Sequence, residues 1–266
     1  MGSSFQKIHL KNGDCYEGNK KDGKFNGYGV YYYKNGDKYV GEFANNQRHG
    51  SGKFYSMNGL FYQGEFKFDK YDGYGKISFP KGDYYEGSFS DSSLNGKGKF
   101  VFRNGDSYEG QFKSSLYSGH GLFTYSDGRK YLGDFLNDKA NGFGVYLDKD
   151  GRKLYEGNFQ ANTPHGFGVL YCLTDGDVYR GEFSNGLKHG KGSLYYKNGD
   201  ILSGEWIYGH LVKEIHKSTI SSNQENQFRD DIPLSLDNKM YKQIDWSVIF
   251  VSVLDIKIVL LIDISQ

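Results

Sequence analysis

The chain has 266 residues, including 38 Gly, 24 Tyr and 20 Phe but only three Pro. Collagen is excluded because Pro is scarce and Gly follows no three-residue period, and the high aromatic content argues against extensive disorder. The net charge of +1 and the lack of a basic run argue against a nucleic-acid binder. This composition favours many short strands joined by tight turns.

Residues 1–15 predict a lead-in strand and turn, without the apolar core of a signal peptide. The two cysteines, Cys15 and Cys172, lie far apart in the sequence and form neither a disulfide framework nor a CxxC zinc spacing. We therefore expect two reduced thiols in a cytoplasmic protein, associated with the cytoskeleton or with a membrane in the alternatives below.

From residue 16 onward the sequence repeats with a period of 23 or 24 residues. Each repeat begins at an anchor tyrosine, and the eight anchors are Tyr16, Tyr39, Tyr62, Tyr85, Tyr108, Tyr131, Tyr155 and Tyr179. Leu202 stands at the next anchor place and opens a partial ninth unit, so the array covers residues 16–209. With the anchor as position 0, position 2 is always Gly, and position 4 is aromatic except for Lys20 in the first repeat.

The alternation within each repeat predicts two strands. Positions 0, 2 and 4 share one face of a first strand, and the mostly apolar positions 15 and 17 mark a second. We expect a six-residue polar loop between these strands, and a type I′ turn at the Asn-Gly or Asp-Gly pair between repeats. The two 24-residue repeats carry one extra residue near their ends, which a turn or a bulge can absorb.

Glycines at fixed strand positions predict that flat groups, most simply aromatic rings of neighbouring strands, pack against the backbone. The expected fold class is therefore all-β: an elongated single-layer antiparallel β-meander built from tandem β-hairpin repeats of about 23 residues. Packing is the ordinary role of such a ring stripe, and the alternative is that some rings line a groove for a partner.

Histidines recur at position 10, directly before Gly, in His49, His165 and His189. Equivalent atoms of adjacent repeats lie two strands apart, about 9–10 Å at ~4.8 Å per strand, which is too far to share a zinc ion. The Gly-x-Gly pairs lack the helix that a phosphate loop needs. We expect no catalytic, cofactor-binding or metal-binding residues, no cofactor, and hence no enzyme.

Acidic residues at positions 1 and 3 predict a solvated carboxylate ladder rather than a catalytic pair. Lys53, Lys76 and Lys99 at position 14 are placed to form cross-strand ion pairs with them.

The pattern Tyr-x-Gly-x-Phe, then Gly-x-Gly, an aromatic strand and Asn/Asp-Gly resembles the MORN (membrane occupation and recognition nexus) repeat over residues 8–209. Departures are Lys20 in the first repeat, Leu202 in the ninth, and Ser56, Asp148 and Cys172, which stand where an aromatic is commoner. Similar repeats occur in junctophilins, plant phosphatidylinositol phosphate kinases, radial-spoke head proteins of cilia and protist cytoskeletal scaffolds.

The resemblance implies a non-catalytic scaffold that presents its sheet to protein partners at a cytoskeletal, for example ciliary, or membrane-adjacent structure. The alternatives are peripheral, weak binding of anionic phospholipids, or a targeting module of a larger lipid kinase-type enzyme. An open array leaves strand edges, such as that near Ile8, so homodimerisation or pairing with a partner at an array end is a further expectation. Nucleic acid is not an expected partner.

Beyond the array, residues 210–246 predict a polar linker and residues 247–266 an apolar segment. Strong β-branching favours a β-type segment that packs on or caps the array. The alternatives are docking to a partner or membrane, a transmembrane span, and an artefact of gene prediction. A span is disfavoured because the apolar stretch is short and carries Asp255 and Lys257.

Overall fold

The computed structural model describes residues 4–172 and 174–219. The predictions for the segment 247–266, and for the linker beyond residue 219, lie outside the described residues. The described residues form 19 strands, and they hold no helix long and apolar enough to cross a membrane. They divide into two compact units, residues 4–116 and 117–219, with the boundary at the start of β11 (Leu116–Thr124).

In both units, successive strands pair antiparallel with their sequence neighbours, which confirms the all-β meander of tandem hairpins. The first unit comprises β1 (Ser4–His9), β2 (Cys15–Lys21), β3 (Lys24–Tyr32), β4 (Lys38–Ala44), β5 (Gln47–Tyr55), β6 (Phe61–Lys67), β7 (Lys70–Ser78), β8 (Tyr84–Ser90), β9 (Ser93–Val101) and β10 (Ser107–Lys113). After β11, the second comprises β12 (Lys130–Leu136), β13 (Lys139–Leu147), β14 (Lys153–Gln160), β15 (Thr163–Tyr171), β16 (Val178–Ser184), β17 (Leu187–Tyr195), β18 (Ile201–Ile207) and β19 (His210–Ser218).

The turns within repeats are shorter than the sequence pattern predicted. Only two residues separate the strands of each hairpin, and the expected six-residue polar loop is wrong. At Asn45 and Asn46 the φ angles are 52° and 70°, the positive pair that a type I′ turn requires. Turn residues such as Phe68 and Ala161 are poor signals for this turn, so the strands, rather than the turn sequence, determine its position. The turns of this kind begin at Asp22, Asn45, Phe68, Asp91, Ser114, Asn137, Ala161, Asn185 and Tyr208.

The turns between repeats are not of type I′, and that prediction is also wrong. In the first of them, the Gly13 amide donates to the Leu10 carbonyl at 3.0 Å. Gly13 has a φ of 93°, whereas Asn12 does not have a positive φ. This is a type I turn followed by a left-handed glycine, the usual three-residue hairpin loop. The glycine supplies the left-handed conformation of this turn, and the Asn side chain stabilises it, because Asn12 Oδ1 accepts the Asp14 amide at 3.2 Å.

The two extra residues of the 24-residue repeats are absorbed as expected. Between β13 and β14, Tyr146 faces Tyr155 but Leu147 faces Lys153, so Leu154 forms a bulge. The second extra residue falls in the loop between Cys172 and Asp177, which the Cys172 amide closes by donating to the Asp177 carbonyl at 2.9 Å.

The array extends one strand beyond Gly209, where the sequence pattern predicted the polar linker to begin. Tyr208 and Gly209 form the last two-residue turn, and β19 pairs with β18 through Trp206 and Leu211. The partial ninth unit is therefore a complete hairpin. The strand that carries Leu202, β18, is therefore paired on both sides, as the strands of the anchor tyrosines are.

The core lies on the face that carries the anchor tyrosines, hereafter the ring face. The anchor rings are fully buried, and the position-4 aromatics lie beside them, 2–5% exposed. Each anchor ring covers two glycines. A Cβ on Gly18 would lie 2.5 Å from the Tyr16 Oη, and one on Gly29 would lie 2.6 Å from it. The predicted packing of rings on glycine is confirmed, with one refinement: the ring covers a glycine of its own strand as well as one of the neighbouring strand.

Candidate partner-binding groove on the ring face

Anchor tyrosines are held at both ends of the side chain. The Tyr39 hydroxyl donates to the Glu42 carbonyl at 2.9 Å, and the Tyr62 hydroxyl donates to the Glu65 carbonyl at 2.8 Å. Burial raises the pKa of Tyr16, Tyr39 and Tyr62, that of Tyr16 to about 12. The phenols therefore stay neutral hydrogen-bond donors, and they are structural rather than reactive groups.

Aromatic rings continue from repeat to repeat in edge-to-face contact. The Tyr39 centroid lies 5.1 Å from that of Phe43 in its own repeat and 4.9 Å from that of Phe66 in the next. The same geometry joins Tyr85 to Phe89 and Phe112. Edge-to-face pairs at this spacing contribute about 0.5–1.5 kcal/mol each beyond area burial, so the stability of each repeat depends on its neighbour.

Position 9, the third residue after the first turn residue, is a variable site that the sequence reasoning missed. Phe25 and Tyr71 occupy it in the first and third repeats and stack on Tyr16 and Tyr62 at 3.8 and 3.9 Å. Arg48 occupies it in the second repeat, facing Phe43 across the hairpin. A two-residue turn would have revealed this register, because it places position 9 directly opposite position 4; the longer expected loop concealed it.

A groove of about 620 Å³ opens on the ring face of the first unit around Arg48. The Arg48 guanidinium lies 5.5 Å from the Phe54 ring and 5.4 Å from the Phe66 ring. Its Nη2 donates to the Asp69 carbonyl at 2.6 Å, and its Nε lies 3.3 Å from Asp69 Oδ1. The arginine is therefore held in place with its charge matched, while its side chain remains 17% exposed to the groove.

The groove walls combine aromatic surface with a few polar groups. Phe25, Tyr33 and Tyr71 contribute rings. Phe68 stands at its rim, 60% exposed, in a type I′ turn with a φ of 50°. Burial raises the pKa of Tyr33, so its hydroxyl remains a donor. An apolar floor with a few fixed polar groups is typical of a binding cleft.

Hydrogen bonds between successive turns stiffen both edges of the groove. On one edge, the Phe25 amide donates to Asn46 Oδ1 at 2.7 Å, and the Arg48 amide donates to Asp69 Oδ1 at 2.8 Å. On the other edge, the Met57 amide donates to Asp37 Oδ1 at 2.7 Å. Because each turn is tied to the turn of the next repeat, the groove is preformed.

The opposite face of the first unit carries cross-strand ion pairs. Lys76 Nζ lies 2.9 Å from Glu86, and Lys99 Nζ lies 3.1 Å from Glu109, so two of the three predicted pairs are confirmed. The hydrogen bond between Lys76 and Glu86 raises the pKa of the lysine and lowers the pKa of the glutamate. Lys53 instead faces Gln63 in register.

Glutamates at position 3 have a role that the ladder prediction did not include. Glu42 Oε1 accepts the Ser51 amide at 3.0 Å, and Glu65 Oε1 accepts the Tyr74 amide at 2.9 Å. Each bond crosses the irregular pairing beside a positive-φ glycine, Gly50 or Gly73. These carboxylates therefore stabilise the backbone of the bulge and are not free to act as a general acid or base.

The MORN repeat model matches the chain eight times, at residues 16–38, 39–61, 62–84, 85–107, 108–128, 131–151, 155–174 and 179–201. The chain belongs to the MORN repeat family. The eight matches begin at the eight anchor tyrosines, so the first residue of each MORN repeat is a buried tyrosine. The MORN repeat is an interaction module, and no curated protein matches this chain significantly.

Among solved structures, this MORN chain is similar to the TCP domain of Drosophila melanogaster SAS-4, solved in complex with a proline-rich motif of Ana2. The identity is 10%, the TM-score 0.34, and the coverage 73% of this chain and 90% of that one. A mutant TCP10 domain of Danio rerio CPAP matches with 15% identity and a TM-score of 0.29, covering 81% of this chain and 99% of that one. At these TM-scores the likenesses support no conclusion about this chain.

The recurring histidines of the MORN array share one feature. In His49, His165 and His189 the Nδ1 atom is buried and has no hydrogen-bond partner among the described residues. Within residues 4–172 and 174–219, no three His, Cys, Asp or Glu side chains are grouped to hold a metal ion. Cys15 and Cys172 are both free thiols.

Two buried titratable side chains lie in the second unit of this MORN chain. Lys188, at position 9, and Asp177 are both buried. The Lys188 ammonium lies 4.5 Å from the Trp206 ring and 5.0 Å from the Tyr179 ring. Burial lowers the pKa of Lys188 to about 7 and raises that of Asp177 to about 7. The rings and the Asp177 charge thus compensate only part of the desolvation of this lysine.

Proposed function

We propose that this chain is a non-catalytic scaffold that holds a protein partner in the groove around Arg48, at a cytoskeletal or membrane-adjacent structure. The observation that carries the proposal is the groove itself, with its aromatic floor, its exposed rim residue Phe68 and its preformed edges. Aromatic and arginine side chains in a central cleft are the residue types that dominate protein–protein binding energy.

The polar groups of the groove support binding rather than catalysis. Asp37 accepts hydrogen bonds from the Met57 amide at 2.7 Å and from Ser56 Oγ at 3.0 Å. Arg48 and Asp69 bond to each other. A catalytic acid or base must be able to exchange a proton with its substrate, whereas these groups already stabilise turns of the fold.

Matched charges favour a protein partner over an anionic phospholipid. The Arg48 charge is matched by Asp69, and Lys70 Nζ lies 2.6 Å from Asp91. On the opposite face, Lys76 and Lys99 pair with glutamates. Binding of anionic head groups uses clusters of uncompensated Lys and Arg, and the cytoskeletal or membrane-adjacent setting is proposed on the family resemblance.

Proximity labelling in the source cell tests the proposal with a matched pair of variants. Phe68→Asn removes the rim ring but suits the type I′ turn, because Asn tolerates positive φ. Tyr208→Asn is the control, since Tyr208 is also exposed, with a φ of 48°, at the same turn position of another repeat.

We expect Phe68→Asn to lose a set of labelled proteins that the unchanged chain and Tyr208→Asn both retain. Equal melting temperatures of the two variants would show that folding is intact. An identical labelled set for Phe68→Asn and the unchanged chain would contradict docking in the groove.

A further inference from the structure

The face opposite the ring face differs in chemistry between the two units. In the first unit it carries cross-strand ion pairs between positions 14 and 1, such as Lys76 with Glu86. In the second unit, aliphatic residues occupy these positions. Leu122 lies opposite Leu132, and Leu132 lies opposite Val145 on the next strand. The strands β11 to β13 therefore present aliphatic side chains where the first unit presents an ion-pair ladder.

Two exposed phenylalanines extend this surface. Phe143 on β13 is 52% exposed, and Phe167 on β15 is 60% exposed. Leu132 is 43% exposed. The apolar patch, as we call this surface, consists of Leu122, Leu132, Phe143, Val145, Phe167 and Val169.

The sheet itself does not require apolar residues at these places. In the fourth repeat, Lys97 and Lys99 stand at the positions that Phe143 and Val145 occupy in the sixth repeat, and both strands pair in the same way. Exposed large apolar side chains that the fold does not need point to a contact with another molecule.

Polar side chains of β14 lie between the two phenylalanines. Glu156 is matched within the chain, because Lys153 Nζ lies 2.5 Å from its Oε2. Asn158 lies opposite Phe143, and its Nδ2 donates to the Phe167 carbonyl at 3.2 Å. The short amide side chain is thereby held against the backbone, which leaves a depression between the two rings.

The spacing of the two rings suits a second copy of the same patch. Phe143 and Phe167 each precede a glycine of one register row, formed by Gly144, Gly157 and Gly168. The two rings are therefore two strands apart, roughly 9.6 Å at ~4.8 Å per strand. A ring midway between them lies about 4.8 Å from each, within the range of aromatic pairs.

A two-fold axis parallel to the strands makes this fit reciprocal. It brings Phe167 of one copy between Phe143 and Phe167 of the other, and the reverse contact forms at the same time. Such a self-complementary surface is what an isologous dimer interface requires. Because Glu156 is matched by Lys153 in each copy, two identical patches meet without burying an unpaired like charge.

The area of the apolar patch also suits a dimer. Its exposed side chains present on the order of 300–400 Å² of apolar surface, taking about 150–250 Å² for a whole aromatic side chain. A standard interface buries about 800 Å² per partner, of which somewhat more than half is apolar. The patch therefore supplies most of the apolar part of one such interface, and two sheet faces pack closely when their side chains interdigitate.

We propose that two copies of this chain pack the apolar patches of their second units face to face about a two-fold axis. This contact uses a sheet face, whereas the sequence pattern led us to expect pairing at an array end. The residues that line the groove around Arg48 do not belong to the patch, so each dimer carries two such grooves.

Sedimentation velocity of the full-length chain over a range of concentrations tests the proposal with two double variants. One combines Phe143→Lys with Phe167→Lys. The control combines Tyr28→Lys with Tyr74→Lys, which changes aromatic residues at the same repeat position, each 58% exposed, in the first unit. We expect a dimer whose dissociation constant rises by about thirtyfold or more in the phenylalanine variant and stays unchanged in the control.

A mixing experiment separates loss of the contact from loss of folding. Phe167→Lys and Phe167→Glu should each weaken the dimer, and an equal mixture of the two chains should restore it, because the two-fold contact places residue 167 of one copy beside residue 167 of the other. Equal melting temperatures of the variants show that the array stays folded.

Three outcomes would overturn the proposal. A monomeric mass of the unchanged chain at every concentration would show that the patch does not join two copies. Equal dimerisation of both double variants would place the contact elsewhere, for example at a strand edge. A monomeric chain that co-sediments with phosphatidylcholine–phosphatidylserine vesicles, and loses this binding in the phenylalanine variant, would assign the patch to a membrane.

Discussion

The ring of Tyr16 lies over the α-carbon of Gly29 on the adjacent strand, so closely that a Cβ at Gly29 would be 2.7 Å from Cε2 and 2.8 Å from Cζ. The Tyr16 hydroxyl donates to the Asn19 carbonyl at 2.7 Å, which fixes the ring in that place. One buried tyrosine thus replaces the second layer that a sheet face normally packs against, and it leaves no room for a side chain at the two glycines that it covers.

Gly29→Ala should destabilise the fold by about 1–3 kcal/mol, because the added methyl group must displace the Tyr16 ring or the backbone. Gly23→Asn is the control: Gly23 has a φ of 78° with no atom within 4 Å of a Cβ built there, and Asn tolerates this conformation. Urea unfolding of the two variants measures the difference. Equal midpoints would show that the ring adapts to a side chain at Gly29.

The anchor rings should carry most of the stability of a repeat. Tyr85→Ala and Phe89→Ala remove buried rings and should each cost about 3 kcal/mol or more. Tyr85→Phe, which loses only the hydrogen bond to the Ser88 carbonyl, should cost about 1 kcal/mol. Lys20→Ala should cost little, since Lys20 stands where an aromatic ring is missing and lies 5.8 Å over the Phe25 ring. Similar melting shifts for all four would contradict the packing described.

Stability should pass through a minimum near neutral pH because of Asp177 and Lys188. Burial raises the pKa of Asp177 to about 7, so the folded state keeps a proton that the unfolded state releases above about pH 4, and stability falls as pH rises toward 7. Burial lowers the pKa of Lys188 to about 7. The folded state therefore lacks a proton that the unfolded state keeps up to about pH 10, and stability rises again above 7.

Urea unfolding at about pH 5, 7 and 9 should reveal this minimum. The double variant Asp177→Asn with Lys188→Met should flatten it, because neither side chain then titrates. Lys191→Met, at a neighbouring exposed lysine, should retain it. A minimum that persists in the double variant would assign the pH dependence to other groups.

The purified protein should contain no stoichiometric zinc after dialysis. Of the histidines at position 10, His165 in β15 and His189 in β17 lie two strands apart, about 9–10 Å at ~4.8 Å per strand, beyond the reach of a shared ion. Elemental analysis checks this expectation. One zinc per chain in the full-length protein, lost in His165→Ala, would overturn the structural interpretation of these histidines.

The period and the facing of the side chains were readable from the sequence. Tyr16, Gly18 and the equivalent residues of each repeat recur at even spacing, and strand geometry puts every second side chain on one face whatever the tertiary structure. A flat ring and a residue without a side chain on the same face leave few other ways to pack. For that reason the meander, the ring-on-glycine core and the Lys76–Glu86 pair could be predicted.

The turn conformations and the groove were decided by the tertiary structure. Asn12-Gly13 has the sequence of a type I′ turn, yet such a turn forms at Phe68-Asp69, because pairing of the flanking strands outweighs the small preference of two turn residues. The two-residue turn at Asn45-Asn46 brings Arg48 opposite Phe43, and Arg48 lies within reach of Asp69 in the corresponding turn of the next repeat. An arginine in a loop and an arginine stacked among rings look alike in a sequence, and only the register of two strands distinguishes them.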